Sequence, residues 1–338
     1  MSEPVRKPKI TLYYAGTEVL GSIGDSLINF SFTDNAYDKA DDLQITLHDR
    51  EQTWKGGWMP SLGGLMWASI TYENVPLICG LFTVDSMDFS GPPDVVNIKG
   101  ASAFINSSAR KEKKSKSWEE TSLKQVADDV AKSQNLDLVY DADDVNFKRL
   151  DQRQENDLKF LQRTAQKYGI KVKVSDGKLI VKGLKQFDIQ LPVGRLHRGR
   201  DDIIRYSLSY SGHNIFKQAK VSYTDPEDRE NKTHEFTPPT DKWVEPGVGQ
   251  TLKVNEKVDS KAQAEKRAEG ELREKNKDQT TGNITIVGNT KMYAGFTILL
   301  TGFGVKFDGI WLIESARHNV SKSAGYTTDL NIRKTLGW

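Results

Sequence analysis

One segment of this sequence occurs twice. Gly80-Leu81-Phe82-Thr83-Val84-Asp85-Ser86 lines up with Gly309-Ile310-Trp311-Leu312-Ile313-Glu314-Ser315, and six of the seven positions are identical or of the same chemical kind. Two further blocks match in the same order. Downstream, Val96-Asn97-Ile98-Lys99 matches Leu330-Asn331-Ile332-Arg333; upstream, Gly64 with Ile70-Thr71 matches Gly295 with Leu300-Thr301. Gly80 to Asn97 spans 17 residues and Gly309 to Asn331 spans 22, so a five-residue loop difference accounts for the gap. Strand–glycine–strand hairpins resemble each other by chance, but three ordered matches point to duplication. The chain is then one β-domain type used twice, with the intervening residues inserted between the copies.

Hydrophobic periodicity supports that division. Ile10–Tyr14, Leu27–Phe32, Leu43–His48, Met66–Tyr72, Leu77–Val84 and Val95–Ile98 read as strands, with Leu43, Ile45 and Leu47 on one face. Glu73-Asn74, Pro76 and Gly91-Pro92-Pro93-Asp94 punctuate them. The period changes near residue 117. Ser117-Trp118-Glu119-Glu120 has the spacing of a capping box, and Leu123, Val126, Ala127, Val130 and Ala131 then follow a helical face. A second helix is predicted at about 155–168, with Leu158, Leu161, Ala165 and Tyr168 on one side and Gly169 placed to end it. Ile170–Val174 and Leu179–Val181 flank the turn Asp176-Gly177 as a hairpin. After residue 195 the pattern is β again, at Ile203–Tyr210, Lys217–Tyr223, Ile284–Val287, Phe296–Thr301, Ile310–Ser315 and Thr327–Ile332. One helix interrupts it near 260–276, marked by Ala262, Ala268 and Leu272, and the polar stretch 225–250 reads as a long exposed loop. The predicted fold is mainly β with an α+β insertion: a first β-barrel domain over 1–110, an α/β module over 111–194, and a second β-barrel or sandwich domain over 195–338.

Composition narrows the function. The 338 residues suffice for two or three domains, and Trp 7, Tyr 11 and Phe 13 supply sizeable cores. Lys plus Arg total 48 against 46 Asp plus Glu, a net charge of +2, which argues against a dedicated nucleic-acid binder. The single cysteine, Cys79, rules out an internal disulfide and any multi-cysteine metal site. Neither a secretory signal nor an apolar run long enough to span a membrane is visible, so the expectation is a soluble protein made in a cytoplasm.

No catalytic constellation, cofactor motif or metal-ligand spacing stands out. Gly302-Phe303-Gly304 lacks a third glycine, and the five histidines, His48, His197, His213, His234 and His318, lie far apart. Asp141–Asn146 lacks the later ligands of a calcium loop and reads as a solvated turn. The cluster Asp34, Asp38, Asp41 and Asp42 could pair carboxylates for a cell-wall glycosidase, but reads first as turn formers and edge guards. The run Lys111, Lys113, Lys114 and Lys116 reads as a solvated linker, or else as a contact with an acidic partner surface or passing nucleic acid. Trp54, Trp58 and Trp67 crowd a segment with Gly56, Gly57, Gly63 and Gly64. Trp54 and Trp58 anchor a partner interface or plug the end of a barrel; as a stand-alone module they could also hold carbohydrate. A duplicated β-scaffold of this kind suggests an interaction protein, not an enzyme.

Ordered along nearly the whole chain are Ala40-Asp41-Asp42-Leu43-Gln44-Ile45-Thr46-Leu47-His48-Asp49-Arg50 with Trp54 and Trp58-Met59-Pro60; Cys79-Gly80-Leu81-Phe82-Thr83-Val84-Asp85 with Ser90-Gly91-Pro92-Pro93; Trp118 with Thr121-Ser122-Leu123; and Gln154–Leu161 with Tyr168-Gly169. Gly302-Phe303-Gly304, Phe307-Asp308-Gly309, Arg317-His318 and Gly325-Tyr326-Thr327-Thr328 complete the set. In these stretches the chain resembles the phage late control D family, the central hubs of contractile-tail baseplates in phages, R-type bacteriocins and related injection systems. The resemblance implies two tube-type β-domains around the insertion, and a homotrimeric, pseudo-six-fold ring that adapts a hexameric tail tube to a trimeric central spike. The implied partners are further copies of the chain, a tube or tube-initiator protein, a separate spike protein and other baseplate proteins, with DNA passing through the ring in a phage. The implied location is the assembled tail of such a particle.

Overall fold

The computed structural model describes residues 7–103, 112–200, 202–224, 230–239 and 250–338. Apolar residues at every second position draw the first stretch into strands β1 (Lys9–Tyr14), β2 (Thr17–Glu18), β3 (Leu27–Asn35), β4 (Asp42–His48), β5 (Leu65–Tyr72), β6 (Val75–Ser90) and β7 (Val95–Ser102), with one helical turn, α1 (Leu20–Ile23), before β3. Leu43, Ile45 and Leu47 enter one core together with Phe30, Phe32, Ile70 and Phe82. Each such side chain taken out of water is worth about 1.5–3 kcal/mol. Glu73 and Asn74 both take positive φ, which is the two-residue turn that a tight hairpin between β5 and β6 demands. Pro76 is not a break. It lies in β6 opposite Thr71, one residue beyond the pair Tyr72 and Val75 that flanks that turn.

The middle stretch contains β8 (Lys114–Ser122), α2 (Leu123–Ser133), β9 (Asp137–Asp141), β10 (Asn146–Glu155), α3 (Asp157–Gln166), β11 (Ile170–Ser175), β12 (Lys178–Gly183) and α4 (Leu184–Asp188). The capping box predicted at residues 117–120 is not one. Those residues belong to β8, where Trp118 and Thr121 are buried against β10. The helix starts six residues beyond Ser117, and Ser122 caps it by accepting from the Gln125 amide at 3.3 Å. The rest of the helical reading holds: Leu123, Val126, Ala127, Val130 and Ala131 are the buried face of α2. In α3 Leu161 and Ala165 are buried as predicted, with Phe160 beside them, while Leu158 and, just beyond the helix, Tyr168 are only partly buried. Asp176 and Gly177 take the positive φ values of the expected hairpin turn between β11 and β12.

The last stretch contains β13 (Gly194–His197), β14 (Ile203–Tyr210), β15 (Phe216–Thr224), β16 (Asn231–Phe236), β17 (Gln250–Val258), α5 (Lys261–Asn276), β18 (Thr280–Val287), β19 (Thr297–Thr301), β20 (Gly309–Ser321) and β21 (Gly325–Lys334). Phe296 lies just outside β19 and is exposed. The stretch predicted as a long loop contains β16; its residues 225–229 and 240–249 lie outside the described residues. β16 alternates polar residues and buries little on either face, so it carries no hydrophobic strand pattern. The helix expected near 260–276 is α5, and it packs on β15–β17 around Ala219, Val221, Ala264, Ala268 and Leu272. Ala262, expected on that face, is exposed.

The doubling is written into the sheets. Among the described residues one sheet contains the order β3-β4-β7-β6-β5-β1 and, joined to it, the order β14-β18-β21-β20-β19-β13. Each strand of one series has a counterpart in the other. In the first, the β6–β7 register breaks between Val84/Gly100 and Ser86/Lys99; in the second, the β20–β21 register breaks between Ile313/Ile332 and Ser315/Asn331. Both bulges thus fall at the acidic residue of the repeated segment, Asp85 or Glu314. A second matched bulge falls at Ile28 in β3 and Ile204 in β14. The Gly63 amide donates to Val84 O and the Gly295 amide to Ile313 O, both at 2.8 Å, and both glycines have φ near +80°. Structure therefore refines the sequence alignment. Gly63, not Gly64, is the counterpart of Gly295, and the flanking blocks are each displaced by two residues, with Ile98 opposite Leu330. A shift of two leaves the same faces inward, which is why the sequence pattern could not detect it. The mainly β fold with two similar β-units and an α+β insertion is as predicted. One difference is that β13 runs parallel to β19, whereas β1 runs antiparallel to β5.

Candidate assembly interface

Trp54 and Trp58 lie on the loop between β4 and β5. Asp49 Oδ1 accepts from the Trp54 amide at 3.0 Å and holds the loop against the barrel. Trp54 is buried in the first core; Trp58 meets it edge-on at 5.9 Å and remains 52% exposed. Beside them is a cleft of about 330 Å³ lined by Leu12, Tyr14, Leu47, Trp54, Trp58 and Met59. Trp54 thus lies within the core, and Trp58 stands at the surface beside the cleft.

The acidic cluster is a joint between domains. Lys173 Nζ on β11 lies 3.0 Å from Asp34 Oδ1 and 2.9 Å from Asp41 Oδ1, and Lys171 Nζ lies 2.9 Å from both Asp38 Oδ2 and Glu274 Oε1. Asp41 also accepts from the Asn35 amide at 2.8 Å and from Ser175 Oγ at 3.3 Å. Burial pushes the Asp41 carboxyl up to about 6, against the pull of Lys173. Asp34, Asp38 and Asp41 thus face lysines of the insertion, whereas Asp42 lies beside Thr33 and Arg317. A second joint centres on Arg333, wholly buried, whose Nη1 lies 2.8 Å from Asp188 Oδ1 of α4. Tyr37 donates a short hydrogen bond to Glu314 in the same cluster.

Other predicted features also take on structural roles. Asp144, in the turn over residues 141–146, accepts from the amides of Lys124 and Val145. Lys111 lies outside the described residues. Lys114 and Lys116 are not linker: they belong to β8, with Lys114 2.7 Å from Asp157 Oδ2 and Lys116 3.0 Å from Asp129 Oδ2. A linker reading fails there because each lysine has an acidic partner on a neighbouring helix. Among the described residues no group of three or more His, Cys, Asp or Glu is arranged to hold a metal, and no helix is long and apolar enough to cross a membrane.

What sequence reasoning missed is the pair of open strand edges. β3 pairs on one side with β4 and on the other with the outer half of β20, from Asn35 opposite Ser315 to Asn29 opposite Ser321. Its counterpart β14 pairs with β18 alone among the described residues, and the outer half of β6, Ser86–Ser90, pairs with β7 alone. Aromatic residues occur at those edges, Tyr206 (41% exposed), Tyr210 and Phe89 (36% exposed).

A family model described as the Alg8 N-terminal domain matches residues 106–322, more than half of the sequence. The chain belongs to this family. It is similar to the "Probable baseplate hub protein" of Escherichia phage P2, at 31% identity over 176 residues, covering 51% of this chain and 44% of that protein. It is also similar to the "Probable baseplate hub protein" of Escherichia phage 186, at 24% identity over 368 aligned positions, covering 97% of this chain and 93% of that protein. The matched stretch thus spans less than half of the P2 protein and nearly all of the 186 protein. The family resemblance read from the sequence, to baseplate hubs, agrees with both names. In fold the chain matches a tail protein from Neisseria meningitidis MC58, with a TM-score of 0.71 at 14% identity over 98% of each chain.

Proposed function

We propose that this hub-family chain is the structural centre of a contractile-tail baseplate, present as a homotrimer whose six β-units form a pseudo-six-fold ring between a hexameric tail tube and a trimeric spike. The observation that carries this reading is the doubled strand series: two like units per chain let three copies present six like positions. The sequence relatives named as baseplate hubs support it. In this reading the units are 1–110, 111–194 and 195–338, and the chain works by assembly, with no chemistry of its own. Its partners are further copies, a tube or tube-initiator protein, a spike and other baseplate proteins, and in a phage the ring passes DNA. Electron microscopy of the assembled particle tests this directly. The expected result is three copies around one axis between tube and spike; one copy, or six, overturns it.

Trp58 is the proposed anchor for a neighbouring baseplate protein, with Trp54 as its support. An exposed tryptophan backed by a rigid ring and an apolar cleft is the usual form of an interface hot spot. Replacing Trp58 by Ala should leave the isolated chain folded and reduce particle assembly. Unchanged assembly would remove Trp58 from the interface.

A further inference from the structure

The matched bulges and hydrogen-bond registers place the two strand series on one another residue by residue. With Val84 on Ile313 and Gly100 on Ile332, the pairings carry outward strand by strand. They put Tyr206 on Phe30, Leu208 on Phe32 and Ser209 on Thr33. On the hairpin they put Met87 on Ala316, Asp88 on Arg317 and Phe89 on His318. Among the described residues one junction is made from these positions, β3 against β20, where His318 is opposite Phe32 and Arg317 opposite Thr33. There Phe30, His318 and Ala316 are fully buried and Phe32 is 3% exposed. The tip of the β20–β21 hairpin reaches across, and Val320 and Tyr326 join the first core. Among the described residues the counterparts of these residues form no such junction. Tyr206 and Phe89 are exposed where Phe30 and His318 are buried.

We infer that β14 of one copy pairs antiparallel with the outer half of β6 of a second copy, in the register that β3 and β20 use within the chain. Phe89 then lies opposite Leu208, Asp88 opposite Ser209 and Met87 opposite Tyr210. Phe89 extends the second core at Leu208 and Phe303, which already pack on it. Backbone hydrogen bonds cap two edges that are otherwise a hazard for uncontrolled association. The occupant is a second copy of this chain because the two open edges are counterparts of a junction already made once. A chain with one internal junction and two complementary open edges continues head to tail until it closes.

This inference rests on the hub reading and adds to it which edges meet and in which register. The test is oxidative cross-linking of the double variant Asp88→Cys with Ser209→Cys, both positions being exposed. Most of the monomer band on a non-reducing gel should shift to cross-linked species. Either single variant should show no shift, since Cys79 is buried, and the misregistered pair Asp88→Cys with Ser207→Cys should cross-link much less. Microscopy of the unaltered particle supplies an independent readout: Cα atoms of Asp88 and Ser209 in adjacent copies should lie about 4.5–5.5 Å apart. A three-fold ring in which these residues are far apart and the cysteines do not join overturns the edge pairing and leaves the hub reading standing. A particle holding a single copy overturns both.

Discussion

His318 shows how one side chain couples the two β-units to pH. It is fully buried between Tyr326 Oη at 2.9 Å and Met292 O at 3.1 Å, with its ring stacked beside Phe32 of the other unit. Burial depresses its pKa from 6.5 to about 4. A base that is harder to protonate when folded stabilises the fold above its unfolded pKa, and that contribution is lost as pH falls from about 6.5 through 4. The depression corresponds to about 3 kcal/mol at most. Urea titrations of the unaltered chain and of His318→Gln, at pH 7 and pH 4.5, should show the stability gap between them narrowing as pH falls; a constant gap would remove His318 as the titrating group. At the helix N-terminus, Ser122→Ala should cost about 1 kcal/mol, because the Gln125 amide loses its acceptor. Ser117→Ala, at the apparent capping box, should leave the helix content by circular dichroism unchanged. Lys173→Met leaves Asp34 and Asp41 buried without their cation and should destabilise the chain by about 3–5 kcal/mol in the same titrations.

At the scale of elements, one glycine fixes how α5 meets the insertion. A Cβ on Gly270 would stand 2.2 Å from the backbone carbonyl carbon of Tyr168, so the helix packs directly on the turn after α3. In an exposed helix interior Gly→Ala gains up to about 1 kcal/mol. Here Gly270→Ala should instead lose about 1–3 kcal/mol, since rigid backbone cannot yield as a side chain can. Thermal melts of the variant against the parent check the sign. The bulges at Asp85 and Glu314 have an element-level role as well. Each lies where its long strand exchanges one partner for another: β5 gives way to an open edge along β6, and β19 gives way to β3 along β20. An extra residue there increases local twist and turns the hairpin tip away from its own barrel.

For the whole molecule, the inferred edge pairing gives assembly a polarity that mixing tests. Tyr206→Asp should spoil the β14 edge and Phe89→Asp the β6 edge, each leaving a folded monomer because both side chains are exposed. Neither variant alone should form rings. Mixed together, they retain one intact edge each, and light scattering after size exclusion should find heterodimers that grow no further. Full rings from the mixture would show that the edges do not govern closure. The buried Arg333–Asp188 contact and the lysines of β11 tie the insertion to both β-units.

The sequence by itself determined the strands with clean alternation, the helical face of α2, the hairpin turns at Glu73-Asn74 and Asp176-Gly177, and the duplication. All of these are local: periodicity and turn chemistry depend on residues a few positions apart, and a repeated segment is visible without coordinates. It misread residues 117–122, where a capping pattern and a strand share the same letters, because only the pull of Trp118 into a core shared with Phe160 decides between them. It misread the acidic cluster and the lysine run for a related reason. A charge looks solvated until the fold brings its partner to it, from 139 positions away for Lys173 and Asp34 and 43 for Lys114 and Asp157. Tertiary structure alone decided the true register of the repeat, the closing of β3 on β20, and the two edges left open. Strand pairing joins residues without regard to their distance along the chain, so an unpaired edge has no signature in the sequence.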